Sequence, residues 1–327
     1  MIRFFADAKY DFIGVRRYAY LVTGGLFLFG LIAMLVSGGL NYSIEFTGGT
    51  LVQVKSNVPF DVSKVRSAVE AQGISGPEIQ SFGAPGAYVI RARTAKKGTD
   101  ADNTQVTAQA VGAALDQALG KGNYSILGKE AVGPKVGGEL RSKAFMAIFF
   151  SFFAVLVYLA YRFEWRFGLA AVAATFHDIV LTILFIGAIR LEVSLVVVGA
   201  VLSMVGYSLN DTIIIFDRVR ENLHKHKREG FPVILNRSIN ETLPRSVLTH
   251  GTTLATLTAL AVFGGEVIRP FALVMFFGVF TGTFSSIYIA SPVLMWIEQK
   301  WPGADARGVK PTAKTGGERR EAVGAKG

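Results

Sequence analysis

The chain contains no cysteine, which excludes disulfides, thiolate metal sites and a cysteine nucleophile, so any exported part must hold its fold by packing alone. Histidine is nearly as scarce. There are four, and His224 and His226 sit in the solvated basic run HKHKRE, which leaves no cluster with metal-ligand spacing. Charged residues make up only 18% of the 327, against 51% apolar, and the mean hydropathy is +0.40. A chain of this length suggests about two domains, but the composition is too apolar for a soluble pair. Acidic residues are in deficit, 24 against 34 basic, for a formal charge of +10. No basic stripe interleaved with aromatics accompanies that charge, so no nucleic-acid partner is indicated. Nucleotide binding through a phosphate loop is excluded as well. The two Gly-Lys dipeptides, Gly120-Lys121 and Gly128-Lys129, have Leu115 and Asn123 where such a loop needs its first glycine. No cofactor and no metal are implied.

What is present is a set of six apolar runs, each near the length of about 20 residues that a bilayer requires. They are 18–37, 144–161, 167–189, 193–216, 246–263 and 271–297. The first follows Arg16-Arg17 and precedes the small residues Ser37-Gly38-Gly39, as a cleaved signal would. Its length exceeds the usual apolar core of such signals, so it is read as a retained anchor in the lipid bilayer. The expected plan is one helix, an insert over 38–143, and a five-helix bundle over 144–297.

Lysine and arginine in short loops resist transfer across the membrane and so report orientation. With a cytoplasmic N-terminus over 1–17, the inner segments hold Arg16 and Arg17, Arg162 and Arg166, the Arg218 to Arg245 group, and a tail rich in basic residues. The two short outer turns hold only Arg190 and Arg269. Both termini are therefore expected in the cytoplasm and the insert outside. The tail over 298–327 is polar, lacks apolar periodicity and is expected to be disordered.

Within the insert, 50–54, 88–92 and 124–132 alternate as strands, 62–71 has helical spacing behind Asp61 as N-cap, and 104–119 is an alanine-rich amphipathic helix. A short strand near Ile79 completes the order β-α-β-β-α-β of a ferredoxin-like α+β unit. No catalytic constellation is visible there. The run Phe46-Thr47-Gly48-Gly49 stands just after the first helix, where paired glycines permit a sharp turn and close backbone approach.

The informative residues are the polar ones a bilayer should expel, since a charge near a helix centre costs about 2.5 to 3.5 kcal/mol on insertion scales. Thr175, Asp178 and Thr182 share one face of the third run, with His177 beside them. Ser203, Gly206, Tyr207, Asn210 and Asp211 share a face of the fourth, and Arg245, Thr249, Thr252, Thr253 and Thr256 form a stripe on the fifth. Facing inward, these stripes would form a hydrated polar seam. His250 is about 100° around the helix from Thr249, off the main stripe. Hydroxyls and amides also simply glue membrane helices together, and Gly278, Gly282, Ser285 and Ser286 read as a small-residue packing face on the sixth. Asp178 and Asp211 stand apart as candidates for ion or proton handling. They could instead be an intramembrane aspartyl protease dyad, but their depths from the cytoplasmic helix ends, roughly 18 and 9 Å, disfavour a shared proton.

Four stretches carry a family resemblance. They are VGYSLNDTIIIFDRVRENL over 205–223, AATFHDIV around His177-Asp178, NRSINETLPRSVLTHGTT over 236–253, and NYSIEFTGGT after the first helix. The chain resembles, over residues 1 to about 300, the SecF family of protein-export translocase subunits, related to the resistance-nodulation-division transporters. Glu45 stands where an Asp is usual, Pro244 where a Ser is usual, and His250 and Gly251 depart from the expected run. The resemblance implies a bacterial inner-membrane subunit that pairs with SecD, works beside the SecYEG channel, and uses the proton-motive force to help move unfolded exported polypeptide. It assigns proton passage to Asp211 and Arg245; Asn210, Asp178, Thr249 and Thr253 of the polar seam are expected to line that path, and Phe46, Gly48 and Gly49 to handle polypeptide or form a hinge. No enzyme activity is implied. Six helices are half of the twelve-helix transporter plan, so a partner half of similar build is expected. The alternative is half of a small-molecule proton antiporter of the same superfamily, whose outer domain should be larger and offer a substrate cleft.

Overall fold

A computed structural model describes residues 8–74, 77–83, 85–92 and 100–302. The order is α1 (Arg16–Val36), β1 (Asn41–Tyr42), α2 (Ile44–Thr47), β2 (Gly49–Ser56), α3 (Val62–Ala71), β3 (Glu78–Ser81), β4 (Ala87–Ala92), α4 (Asp100–Leu119), β5 (Tyr124–Val132) and α5 (Pro134–Arg162). Then come α6 (Trp165–Ala188), β6 (Glu192–Val193), α7 (Leu195–Lys225), α8 (Phe231–Phe263), α9 (Gly265–Ser285), a π-helical turn (Ser286–Ala290) and α10 (Ser291–Lys300). Among the described residues six helices are long and apolar enough to cross a membrane, with α9, the π turn and α10 sharing the last span.

The insert folds as the alternating pattern requires. Sheet order β3-β4-β2-β5, antiparallel throughout, with α3 and α4 in the two crossovers, is ferredoxin-like. Asp61 caps α3 by accepting from the backbone N–H of Ser63 and Lys64. The inward residues of the strands, Val52, Val54 and Ile90, meet Val65 and Val69 of α3 and Val111 and Leu115 of α4 in a core that excludes water. Each such side chain contributes about 1.5 to 3 kcal/mol by burial. At the sheet's far end Tyr124 Oη donates to Asp116 at 2.8 Å. Burial and that carboxylate push its hydroxyl up to about 12.

The membrane helices differ from the expected boundaries, always by being longer. The second begins at Pro134 rather than 144, the fourth runs to Lys225 rather than 216, the fifth begins at Phe231 rather than 246, and the last spans 265–300 rather than 271–297. Apolar length sets the stretch inside the bilayer, whereas the extra turns are polar or amphipathic and are held by other means. Beyond 216 on α7, Glu221 pairs with Arg218 and Lys225, and Arg218 also reaches Glu241 of α8. The first turns of α8 bury Ile234, Leu235 and Ile239 and accept Pro232 in the first turn, where no N–H is needed. Residues 298–300, expected to begin the disordered tail, form the last turn of α10, where Glu298 is buried against Arg166 of α6 at 2.5 Å. The tail from 303 onward lies outside the described residues.

Helices α6 to α9 form the bundle core, with small residues at the closest approach. A Cβ on Gly278 would stand 2.0 Å from Met204, and one on Gly282 would stand 2.9 Å from Ser208, so α9 seats directly on α7. Helix α1 packs on α6, and α5 is almost wholly exposed.

Candidate functional site

Two buried carboxylates organise the bundle interior. Asp178 of α6 is fully buried and satisfied. Its Oδ2 accepts from Ser208 of α7 and Ser285 of α9, both at 2.6 Å, and its Oδ1 is hydrogen-bonded to His177 Nδ1 at 2.9 Å. Three helices are thus tied at one point. Beside it, Ser286 bonds Thr212 of α7 at 2.7 Å. Helical residues one apart point in different directions, and here Ser285 and Ser286 reach two different helices just where the chain widens into the π turn. Ser291 donates back to the Ser286 carbonyl at 2.9 Å, so the widened turn is not left with a free acceptor there.

Asp211 is different. It is also buried, at 2% exposure, but among the described residues only its Oδ1 is engaged, by Ser246 of α8 at 2.5 Å, and its buried Oδ2 has no partner among them. Arg245 and His250 lie within electrostatic reach of it, yet neither bonds it. A buried carboxylate with one idle oxygen is the kind of group that can take up and give back a proton. The two aspartates share no hydrogen bond, so the bundle does not build an aspartyl dyad.

The expected seam is only partly internal. Thr175, Asp178, Thr182, Ser208, Asp211 and Thr212 face inward, but Ser203, Gly206, Asn210, Arg245, Thr249, Thr252 and Thr256 are exposed, and Thr253 and Tyr207 are half-buried. The α8 stripe therefore faces out of this chain, and the residues turned inward are Ser246 and His250. A helical polar period reads the same whether its face meets the chain's own core or a neighbour. Tyr207 bridges the two halves of the site, its hydroxyl donating to Thr253 Oγ1 at 2.8 Å while its ring meets His250 edge-on at 5.5 Å.

Phe46, Gly48 and Gly49 lie elsewhere, at the junction of the inserted ferredoxin-like domain with the bundle. Phe46 is buried in α2, whose packing against α5 brings Gly137 so near that a Cβ there would lie 2.9 Å from the Gly48 nitrogen. Gly48 has φ 72° and ψ 152° and Gly49 has φ 144°, conformations that side chains with a Cβ rarely adopt. Around this turn, β1 pairs in parallel with β6, Arg91 of β4 pairs with Glu192, and Glu45 accepts the backbone N–H of Leu195, the first residue of α7, at 2.5 Å. A carboxylate at that end complements the helix dipole. An apolar cavity of about 100 Å³ lies under the junction, lined by Tyr42, Phe46, Phe145, Ile186 and Val197 among others.

Sequence reasoning found both aspartates because charge in a bilayer is costly. It missed Ser208, Ser246 and Ser285 as their partners, since serines are common at helix contacts. The Glu45 and Glu192 contacts were also missed, because two-residue strands leave no periodic signal.

These features define a multi-pass helical membrane protein with a ferredoxin-like α+β domain inserted after its first helix and a polar, carboxylate-centred bundle. The family model for the C-terminal part of the protein export membrane proteins SecD/SecF matches residues 111–300, and the SecD/SecF GG motif matches 33–59, which contains Gly48-Gly49. The protein translocase subunit SecF of Gemmatimonas aurantiaca is 54% identical over 312 residues, covering 93% of this chain and 92% of that one. The SecF subunit of Magnetococcus marinus is 41% identical, covering 95% and 98%. The chain belongs to the SecF family of protein-translocase subunits. Its fold matches the crystal structure of SecDF, a translocon-associated membrane protein from Thermus thermophilus, with a TM-score of 0.78 at 33% identity over 90% of this chain. The chain spans only 39% of that longer protein. SecDF in a super-membrane-facing form gives 0.62 at 34% identity, so at nearly equal sequence likeness the arrangement of parts differs.

Proposed function

We propose that this chain pairs with a SecD-type half and couples proton passage at Asp211 to the export of unfolded polypeptide beside the SecYEG channel, without enzyme activity. The observation that carries the reading is the idle oxygen of buried Asp211 next to a polar face at membrane depth. Asn210, Arg245, Thr249 and Thr252 cannot be left to lipid without cost, and a second six-helix half would cover them and close a hydrated path. Arg245 keeps its charge at any working pH and acts as a fixed cation that biases Asp211 rather than as a carrier. Asp178, saturated by three hydrogen bonds, orders the bundle. The orientation follows the loop charges, with both termini in the cytoplasm, the outer domain beyond the inner membrane and Phe46-Gly48-Gly49 as its hinge. Cysteines placed singly at Ser81 and Lys227, both exposed, test this on intact cells with an impermeant maleimide. Labelling at 227 from outside would overturn the orientation.

The decisive measurement is translocation into inverted vesicles at matched expression, with and without a proton gradient. Asp211→Asn should assemble with its partner and lose the gradient-dependent part, Arg245→Met should follow it, and Arg245→Lys and Asp178→Asn should retain more. Full gradient dependence in Asp211→Asn would remove this carboxylate from the path.

A further inference from the structure

The inward face of α8 carries a titratable group that this function has not yet used. His250 is 5% exposed, and its Nδ1 is buried without a hydrogen-bond partner, as is Asp211 Oδ2 on the facing helix. Leaving either atom unpaired carries the desolvation cost of a buried polar group with nothing to offset it. With the imidazole in its Nε2–H tautomer, Nδ1 and Oδ2 are two orphaned acceptors within electrostatic reach of each other, and one water can donate to both and relieve both costs. The imidazole is also held in place: Tyr207 meets it edge-on and is itself fixed by its bond to Thr253. The groups facing it are Asp211 and Tyr207 from α7, and Arg245 of its own helix lies on the exposed face, within electrostatic reach of Asp211. Helix α9, packed on the other side, brings no titratable side chain between Phe271 and Ser285.

We propose that His250 is a second proton holder, joined to Asp211 by a water that bridges Asp211 Oδ2 and His250 Nδ1. In the forward step the Asp211 O–H bond breaks and its proton passes to the water, while the water passes one of its own to Nδ1. The carboxylate is restored and an imidazolium formed. The imidazolium then releases the Nε2 proton to a neighbouring water or hydroxyl on the polar face, and the ring returns to neutral in its other tautomer. No oxidant or further reactant is needed. This extends the path from the interior to the face that the partner covers, and it rests on the proton reading of Asp211 given above.

The test is gradient-driven translocation by the full complex across a pH series, for the wild type, His250→Gln and Asp211→Asn. His250→Gln should assemble normally and fall by about a hundredfold, the lower end of what a positioned proton-transfer group contributes. It should also lose the inflection that a titrating imidazole gives to the pH profile. A lost packing contact would lower the rate without removing the inflection, and that outcome overturns the relay. Wild-type rate and profile in His250→Gln, with Asp211→Asn inactive, overturn the relay alone. Full gradient dependence in Asp211→Asn overturns the underlying reading. If His250→Gln does not assemble, nitrogen-15 histidine spectra of the wild-type and Asp211→Asn complexes replace it. The His250 titration should move when Asp211 is neutralised, and an unmoved titration refutes the coupling.

Discussion

Replacing Gly49 by alanine separates two reasons for a glycine at the junction. At φ 144° an added Cβ is strained by the backbone conformation itself, and it would stand 2.9 Å from the Ala92 carbonyl oxygen. A backbone carbonyl cannot swing aside, so the end of the β2–β4 ladder, where Thr50 faces Ala92, must open. The conformational part costs about 1 to 3 kcal/mol, and the lost ladder hydrogen bond about 1 kcal/mol. The sum, about 2 to 4 kcal/mol, is a rise of roughly 30- to 1,000-fold in local opening. Two further variants divide that sum. Gly38→Ala, at φ 82° with open space around it, carries strain alone. Gly137→Ala has no φ in the left-handed region but would place a Cβ 2.9 Å from the Gly48 nitrogen, and so carries the clash alone. Amide hydrogen exchange on the full-length chain in detergent, read at 49–56 and 87–92 against the α7 core, gives each opening energy. Wild-type protection in Gly49→Ala would refute the claim that shape is what holds the paired glycines there.

The Tyr124 hydroxyl, held neutral in the fold up to about 12 against an ordinary value of 10.0, makes the inserted domain bind an extra proton between those values. Its contribution is fully present below pH 10 and fades as pH rises through 12; Tyr124→Phe should flatten that part of a thermal-unfolding series, and an unchanged slope would count against the Asp116 pairing. Arg166→Met should lower bundle stability by about 1.5 to 3 kcal/mol, because it removes the guanidinium against which the Glu298 carboxylate is buried, while Arg166→Met with Glu298→Leu should recover most of the loss. A double variant as unstable as the single one would show that charge burial is not the cause.

Much of this architecture is legible in the residue order, and the illegible parts share a physical character. The ferredoxin-like unit is readable because strand and helix periods differ and Asp61 marks a helix start. The spans are readable because bilayer thickness sets a length. Their ends are not, since the last turns of α7 depend on ion pairs that hydropathy scores as polar loop. Asp178 and Asp211 stand out by cost, whereas the different states they occupy, one saturated and one half-idle, depend on serines 30, 107 and 35 residues away in sequence. The direction of the Thr249 stripe is illegible from one chain, because a face that meets a partner has the same period as a face that meets the core. For that reason His250, off the stripe by sequence, is the residue that turns inward.

The junction and Asp211 are linked by a rigid element. Glu45 holds the first N–H of α7, and β6, paired with β1, leads directly into that helix. Asp211 is 16 residues further along, about 24 Å at helical rise, with no break in the helix between them. Movement of the inserted domain that pulls on Glu45 would therefore shift α7 along its axis relative to α8. Among the described residues the one side-chain hydrogen bond of Asp211 crosses that interface to Ser246 at 2.5 Å, and a slide of about 2.5 Å across it would stretch it to about 3.5 Å, past ordinary bonding distance. Thermodynamic linkage makes the effect reciprocal, so protonating Asp211 would bias the position of the inserted domain. A double-mutant cycle on gradient-driven export tests the link, with Glu45→Gln, Ser246→Ala and the pair. Two sites about 24 Å apart that act independently should add within about 0.5 kcal/mol, and a larger coupling energy is expected here. Additive losses would mean that the domain and the carboxylate are not joined through α7.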